Sequence, residues 1–81
     1  MKKESVESEG NLMQLSSREL DVLTLVACGF VDKEIARKLK IASKTVESHM
    51  KNILLKLDSR TRTQAAIRYY QFNPNWQIRG R

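Results

Sequence analysis

The sequence predicts an all-α domain of four helices, and three observations carry that prediction. Two capping boxes, Ser16 to Glu19 and Thr61 to Gln64, mark helix starts near the two ends of the folded part. Between them Val46, Met50, Ile53 and Leu57 recur at spacings of four, three and four, a single apolar stripe along one helix. No segment sustains the period-two alternation that a half-buried strand needs.

Residues 1–14 read as a flexible arm or the end of a linker, because 1–11 are polar and hold one aliphatic residue, Val6. Structure is expected to begin at Leu15. Ser16 caps the first helix, Glu19 reaches back to it, and Leu15 with Leu20 occupies the hydrophobic-staple positions. Apolar residues at 20, 22, 23, 25, 26 and 27 imply burial on more than one face, and Gly29 suits the left-handed residue that closes the helix. Cys28, set among Leu25, Val26 and Ala27, is expected to be buried. A short second helix starts near Asp32, its expected N-cap, with Ile35, Ala36 and Leu39 on one face. After the tight connection Lys40-Ile41-Ala42-Ser43, a third helix runs from about Lys44 to Leu57, with Lys44, Glu47, Ser48 and Lys51 opposite its apolar stripe. Asp58-Ser59-Arg60 ends it. The fourth helix carries Ala65, Ala66, Ile67, Tyr69 and Tyr70, and Asn73-Pro74-Asn75 stops it, so that 15–72 form the domain and 73–81 a tail with Trp76, Arg79 and Arg81.

At 81 residues the chain has room for one small core and none for a cleft between lobes. It has no apolar run of ~18 residues to cross a membrane and no secretory segment. One cysteine excludes an internal disulfide and a cysteine-based zinc site, and suits a reducing cytoplasm. No nucleophile–base pair, phosphate-cradling glycine loop or metal-ligand cluster is present, so neither an enzyme nor a cofactor is expected. Net charge is +6, unevenly spread: residues 1–32 hold three basic and six acidic side chains, residues 33–81 twelve and three. The basic part suggests a polyanionic partner.

Two short helices joined by a tight turn, the second polar outside, describe a helix-turn-helix. In that arrangement the first helix and turn brace the second, whose N-terminal half can enter the major groove of DNA. Val46 and Met50 supply the packed side. Lys44, Glu47, Ser48 and Lys51 supply the outer one, and the free N–H groups near Ser43 to Thr45 could bind a phosphate.

Leu15-Ser16-Ser17-Arg18-Glu19, Lys33-Glu34-Ile35-Ala36, Leu39, Ile41, Thr45-Val46, His49, Ile53, Lys56-Leu57 and Arg62-Thr63-Gln64-Ala65 resemble the LuxR-type (GerE/NarL-like) helix-turn-helix of bacterial transcription regulators. The resemblance covers about 15–70 with order and spacing intact. It implies that the third helix reads double-stranded DNA and that the fourth commonly forms a homodimer, placed here at Ala66, Tyr69 and Tyr70. By position it implies base reading by Glu47, Ser48 and Lys51, and phosphate contacts by Lys33, Ser43, Lys44 and Thr45. Three positions depart from the family's pattern: Ala42 stands where a Ser or Thr often caps the reading helix, Glu47 where a basic residue is frequent, and Asp58-Ser59 where a small apolar pair is usual.

Several residues admit two readings. Glu47 could accept from a cytosine N4 amine, or pair with Lys51 one turn on, which is worth only about 0.3–0.5 kcal/mol. Arg62 could touch phosphate, or pair with Glu19 or another internal carboxylate. His49 fits a structural, hydrogen-bonded role beside the apolar stripe better than ligation. A different class of function is a protein-interaction module docking on RNA polymerase or a sensor domain.

Overall fold

The computed structural model describes residues 12–72. Its first helix, α1 (Ser17–Ala27), starts where the sequence places it: Ser16 Oγ accepts from Glu19 N–H at 3.1 Å, and Glu19 Oε1 accepts from Ser16 N–H at 2.9 Å. Order begins earlier than expected, however. Leu12–Gln14 form a 3₁₀ turn, with Leu12 packed against the core, so three residues of the expected 1–14 arm are folded. Residues 1–11 of that arm and the tail with its Asn73-Pro74-Asn75 stop lie outside the described residues.

The close of α1 follows the glycine. Gly29 has φ 96°, its N–H donates to Val26 C=O at 2.9 Å, and Phe30 N–H reaches Leu25 C=O at 3.1 Å. This is a Schellman close, and it needs a left-handed residue. Cys28, expected to be buried, is exposed instead. It occupies the C-cap, where the chain is already turning away from the packed face.

The second helix, α2 (Asp32–Leu39), begins one residue earlier than the sequence suggests. Val31, not Asp32, is the N-cap, and only half a capping box is possible because valine offers no acceptor: Val31 N–H donates to Glu34 Oε1 at 3.0 Å. That vacates the Asp32 carboxylate for other work. The helix closes on Lys40, a left-handed residue at φ 58°, with Ile41 N–H donating to Ala36 C=O at 3.0 Å. Ile35 and Ala36 are buried and Leu39 partly so.

The third helix, α3 (Ser43–Lys56), has Ala42 as N-cap with extended backbone and no side-chain bond to its first turn. Ser43 is the first helical residue. Val46, Met50, Ile53 and Leu57 are all buried, so the 4–3–4 stripe is the inner face. Asp58, at φ 52°, closes α3 with Ser59 N–H on Leu54 C=O at 2.9 Å. This gives the departure at Asp58-Ser59 a physical reason, since aspartate tolerates the left-handed region better than most side chains. In the second capping box, Gln64 N–H donates to Thr61 Oγ1 at 3.1 Å, whereas Gln64 Oε1 takes the N–H of Arg60 rather than of Thr61. The fourth helix, α4 (Arg62–Phe72), follows.

Helix α1 is the central element. It packs against α3 and α4, and α2 packs on α3. Val22, Leu23, Ile35, Val46, Ile53, Leu57 and Ala65 meet in the core with no exposed surface. Among the described residues one charged side chain is buried, that of Glu19, and Lys56 Nζ reaches its Oε1 at 2.8 Å from the far end of α3. Burial by itself pushes the Glu19 carboxyl up, but the Lys56 ammonium and the Ser16 hydrogen bonds outweigh it and hold the group below the ordinary glutamate range. This ion pair fixes the C-terminal end of α3 to the N-terminal end of α1.

Ala42 provides a local test of these ends. Ala42→Ser places a hydroxyl on a backbone already in the extended N-cap conformation. It is expected to stabilise the free domain by about 1 kcal/mol, a Tm rise of about 4–8 °C, readable by thermal melting followed by circular dichroism.

Candidate nucleic-acid interface

The face opposite the core on α3 is built by helical spacing alone. With the inner stripe fixed by Val46, Met50, Ile53 and Leu57, residues 44, 48 and 51 fall about half a turn away and 47 on the flank. Lys44, Thr45, Glu47, Ser48 and Lys51 are all exposed. The structure therefore brings the expected base-reading residues, Glu47, Ser48 and Lys51, onto one rigid helix backed by core. Glu47 and Lys51 form no ion pair within 4 Å, nor does Lys44 take part in one among the described residues. The surface-pair reading of Glu47 thus has no support in the folded chain, and both charges face outward uncompensated.

The start of α3 adds a second kind of group. Because Ala42 has no side-chain acceptor, no capping side chain occupies the first-turn N–H groups. Such an end is a ready anion site when a charged ligand is large and already nearby. Ser43, Lys44 and Thr45 all lie in this first turn.

From α2 comes the flanking charge. Lys33 is exposed on its first turn, as expected. Arg37 lies one turn further on the same side, also exposed, with Lys40 just past the helix end. Neither was singled out from sequence, although the 33–37 spacing of two cations on a short helix was there to read. Lys38 is differently employed: its Nζ sits 4.7 Å from the Phe30 ring centroid, a cation–π contact that braces the α1–α2 corner.

Arg62 is engaged within the fold, at the corner where α1 meets α2. Its two terminal nitrogens donate to Asp32 Oδ1 at 2.8 Å and to Phe30 C=O at 3.1 Å. The internal carboxylate that Arg62 meets is Asp32 and not Glu19, whose partner is Lys56. Asp32 is available because Val31 holds the cap position instead.

Of the residues expected at a dimer interface, Tyr69 is buried, while Ala66 and Tyr70 are half-buried at the edge of the core. Tyr69 is 7% exposed and sits in the core, Ala66 packs against it, and the Tyr70 hydroxyl donates to Ala27 C=O. Their spacing on α4 puts them on the side that meets α1. The outward side carries Thr63, Gln64, Ile67 and Gln71, with Ile67 50% exposed. His49 is half-buried, and no hydrogen bond to it is found among the described residues. No group of three or more His, Cys, Asp or Glu among the described residues is placed to hold a metal ion. No described helix is long and apolar enough to cross a membrane.

Residues 13–69 match the family described as bacterial regulatory proteins, luxR family. The chain belongs to that family. As a member of the luxR family, the domain is a DNA-binding helix-turn-helix of the transcription-regulator type. Individual luxR-family relatives agree. The chain is 49% identical over 65 residues to the uncharacterized transcriptional regulatory protein YhcZ of Bacillus subtilis, covering 80% of this chain and 30% of the relative. It is 47% identical over 62 residues to the transcriptional regulatory protein LnrK of the same organism, covering 76% and 28%. With the response regulator protein VraR of Staphylococcus aureus it shares 46% identity over 59 residues, covering 73% and 28%. The chain thus spans under a third of the length of these relatives.

Proposed function

We propose that the domain binds double-stranded DNA sequence-specifically, as part of a bacterial transcription regulator acting in the cytoplasm, with the N-terminal half of α3 in the major groove. The carrying observation is the exposed, unpaired set Lys44, Glu47, Ser48 and Lys51 on a helix whose other side is wholly core. A rigid backing matters because base edges are read at hydrogen-bond distance, and a loosely held helix spreads that geometry. Lys51 donates to a guanine edge or a phosphate. Ser48 is small enough for close approach, and Glu47 accepts from a cytosine amine. Lys33, Lys44, Thr45 and the uncapped N–H groups at Ser43 take phosphates, with Arg37 beside them.

Binding as a homodimer on two half-sites fits the outward side of α4, where exposed Ile67 is the apolar centre and Asp58 and Arg68 stand at the edge, a pair of opposite charges that two copies could exchange. A two-fold axis there sets two copies of the same patch against each other, and half-sites about 10 bp apart follow. Selection of bound sites from random duplexes, with the stoichiometry of the complex measured alongside, tests both parts. A two-fold-related sequence bound by two copies is the expected result; equal affinity for every duplex overturns the reading. The interaction-module alternative, docking on RNA polymerase or a sensor domain, predicts that charge reversal at Lys44 and Lys51 changes nothing measurable.

Glu47 separates its two roles by sign. If it reads a base, Glu47→Ala relaxes preference at one position of the site at a cost of about 1–3 kcal/mol. If it makes no base contact, removing a carboxylate from the phosphate field tightens binding to all duplexes. Binding curves on the selected site and on single-position variants of it distinguish the two, and relaxed preference is expected.

A further inference from the structure

Helix α4 is pinned to the corner between α1 and α2 at three points. The Tyr70 hydroxyl takes Ala27 C=O in the last turn of α1, one of the carbonyls a helix leaves without an internal partner. Arg62 takes Phe30 C=O in the corner itself and the Asp32 carboxylate at the first residue of α2. Arg62 and Asp32 are both only partly buried, at 39% and 31% exposure, so the pair lies at the surface edge of the fold. Apart from the Lys38–Phe30 contact, α1 and α2 touch little, and α2 is held mainly through α3.

We propose that Arg62 is a positioning residue for DNA binding: its fork sets the angle of α2 and the turn against α4, and it makes no phosphate contact. This rests on the reading of α3 as the groove helix, since α3 packs on both α1 and α2, the two helices that meet at this corner. The guanidinium is suited to the task because its planar donors can hold a carboxylate and a carbonyl at once. A lysine supplies the charge at one point only.

That difference makes the test. Arg62→Lys and Arg62→Ala are compared with wild type and with Asp32→Ala, on the selected duplex and on a random one, over a range of salt. All are measured well below the melting temperature of the least stable variant. The expected result is a fall of about tenfold in the ratio of specific to random binding for Arg62→Lys, Arg62→Ala and Asp32→Ala alike. Arg62→Ala combined with Asp32→Ala is expected to be no worse than either alone. The slope of log affinity against log salt stays at the wild-type value, because no phosphate contact is lost. A merely structural role lowers the melting temperature and leaves the specificity ratio of the folded protein intact, which overturns the proposal. It is equally overturned if Arg62→Ala reduces the salt slope by about 0.9 while Arg62→Lys retains it, or if Asp32→Ala tightens binding by freeing the arginine. Failure of wild type to prefer any duplex marks failure of the DNA-reading assignment, a separate outcome from these.

Discussion

Lys51→Glu is expected to lower affinity for the selected duplex roughly 100-fold at physiological salt, and the reason is additive. Lys51 is exposed on the outer side of α3 and unpaired among the described residues, so its replacement costs the folded domain nothing; exposed changes away from special features stay within about 0.5 kcal/mol. What is lost is a donor to base edge or phosphate, and what is gained is a carboxylate facing the duplex beside the existing Glu47. Lys33→Ala is the reference variant. It lies on α2, away from the base-reading face, and is expected to weaken all sequences alike while reducing the salt slope by about 0.9. Titrations of the two variants on selected and random duplexes check both statements. Wild-type affinity in Lys51→Glu removes α3 from the groove.

The second large effect is on stability and comes from Glu19. Glu19→Ala deletes half of the α1 capping box and leaves Lys56 without its partner. Lys56 is partly exposed and can turn to water, so the full penalty of a broken buried pair does not apply. The combined cost is about 2–3 kcal/mol, a Tm loss of roughly 10–20 °C in a domain too small to spare it. The same carboxylate makes the fold acid-sensitive. Its folded-state pKa is held down by Lys56 and Ser16 against the effect of burial. Its contribution is therefore complete above the unfolded value of about 4.3 and is lost as pH falls through the lower folded value. Glu19→Gln, which cannot ionise, is expected to lose stability less steeply than wild type below that point. Melting curves at a series of acidic pH values decide it; parallel slopes remove Glu19 as the acid-labile group.

Four elements were legible in the residues because each is specified locally. Ser16 with Glu19 and Thr61 with Gln64 hold their own helix starts through bonds three or four residues long. Gly29 closes α1 by its own backbone freedom. The stripe of α3 fixes that helix's inner face, and by elimination its outer one. The misplacements share a cause of the opposite kind. Cys28 read as buried from its apolar neighbours, but it falls where the chain leaves the helix. Asp32 looked like a cap because aspartate favours that position, yet the cap fell on Val31 and the carboxylate was drawn to Arg62, thirty residues on. Tyr69 and Tyr70 carry an interface role only through the resemblance, and what the fold adds is their engagement with α1: Tyr69 in the core and the Tyr70 hydroxyl on Ala27 C=O.

Helix starts, stops and faces are set by residues within a turn of one another, so the four-helix, all-α fold and the polar side of α3 were legible in the residues, and the resemblance to the luxR family was legible in their spaced motifs. The long-range partners became visible in the folded chain alone: Lys56 for Glu19, Asp32 and Phe30 C=O for Arg62, Ala27 C=O for Tyr70. One chain offers many cations and carboxylates that could pair. Which of them meet depends on how α4 and α3 pack across α1, and that is a property of the assembled core.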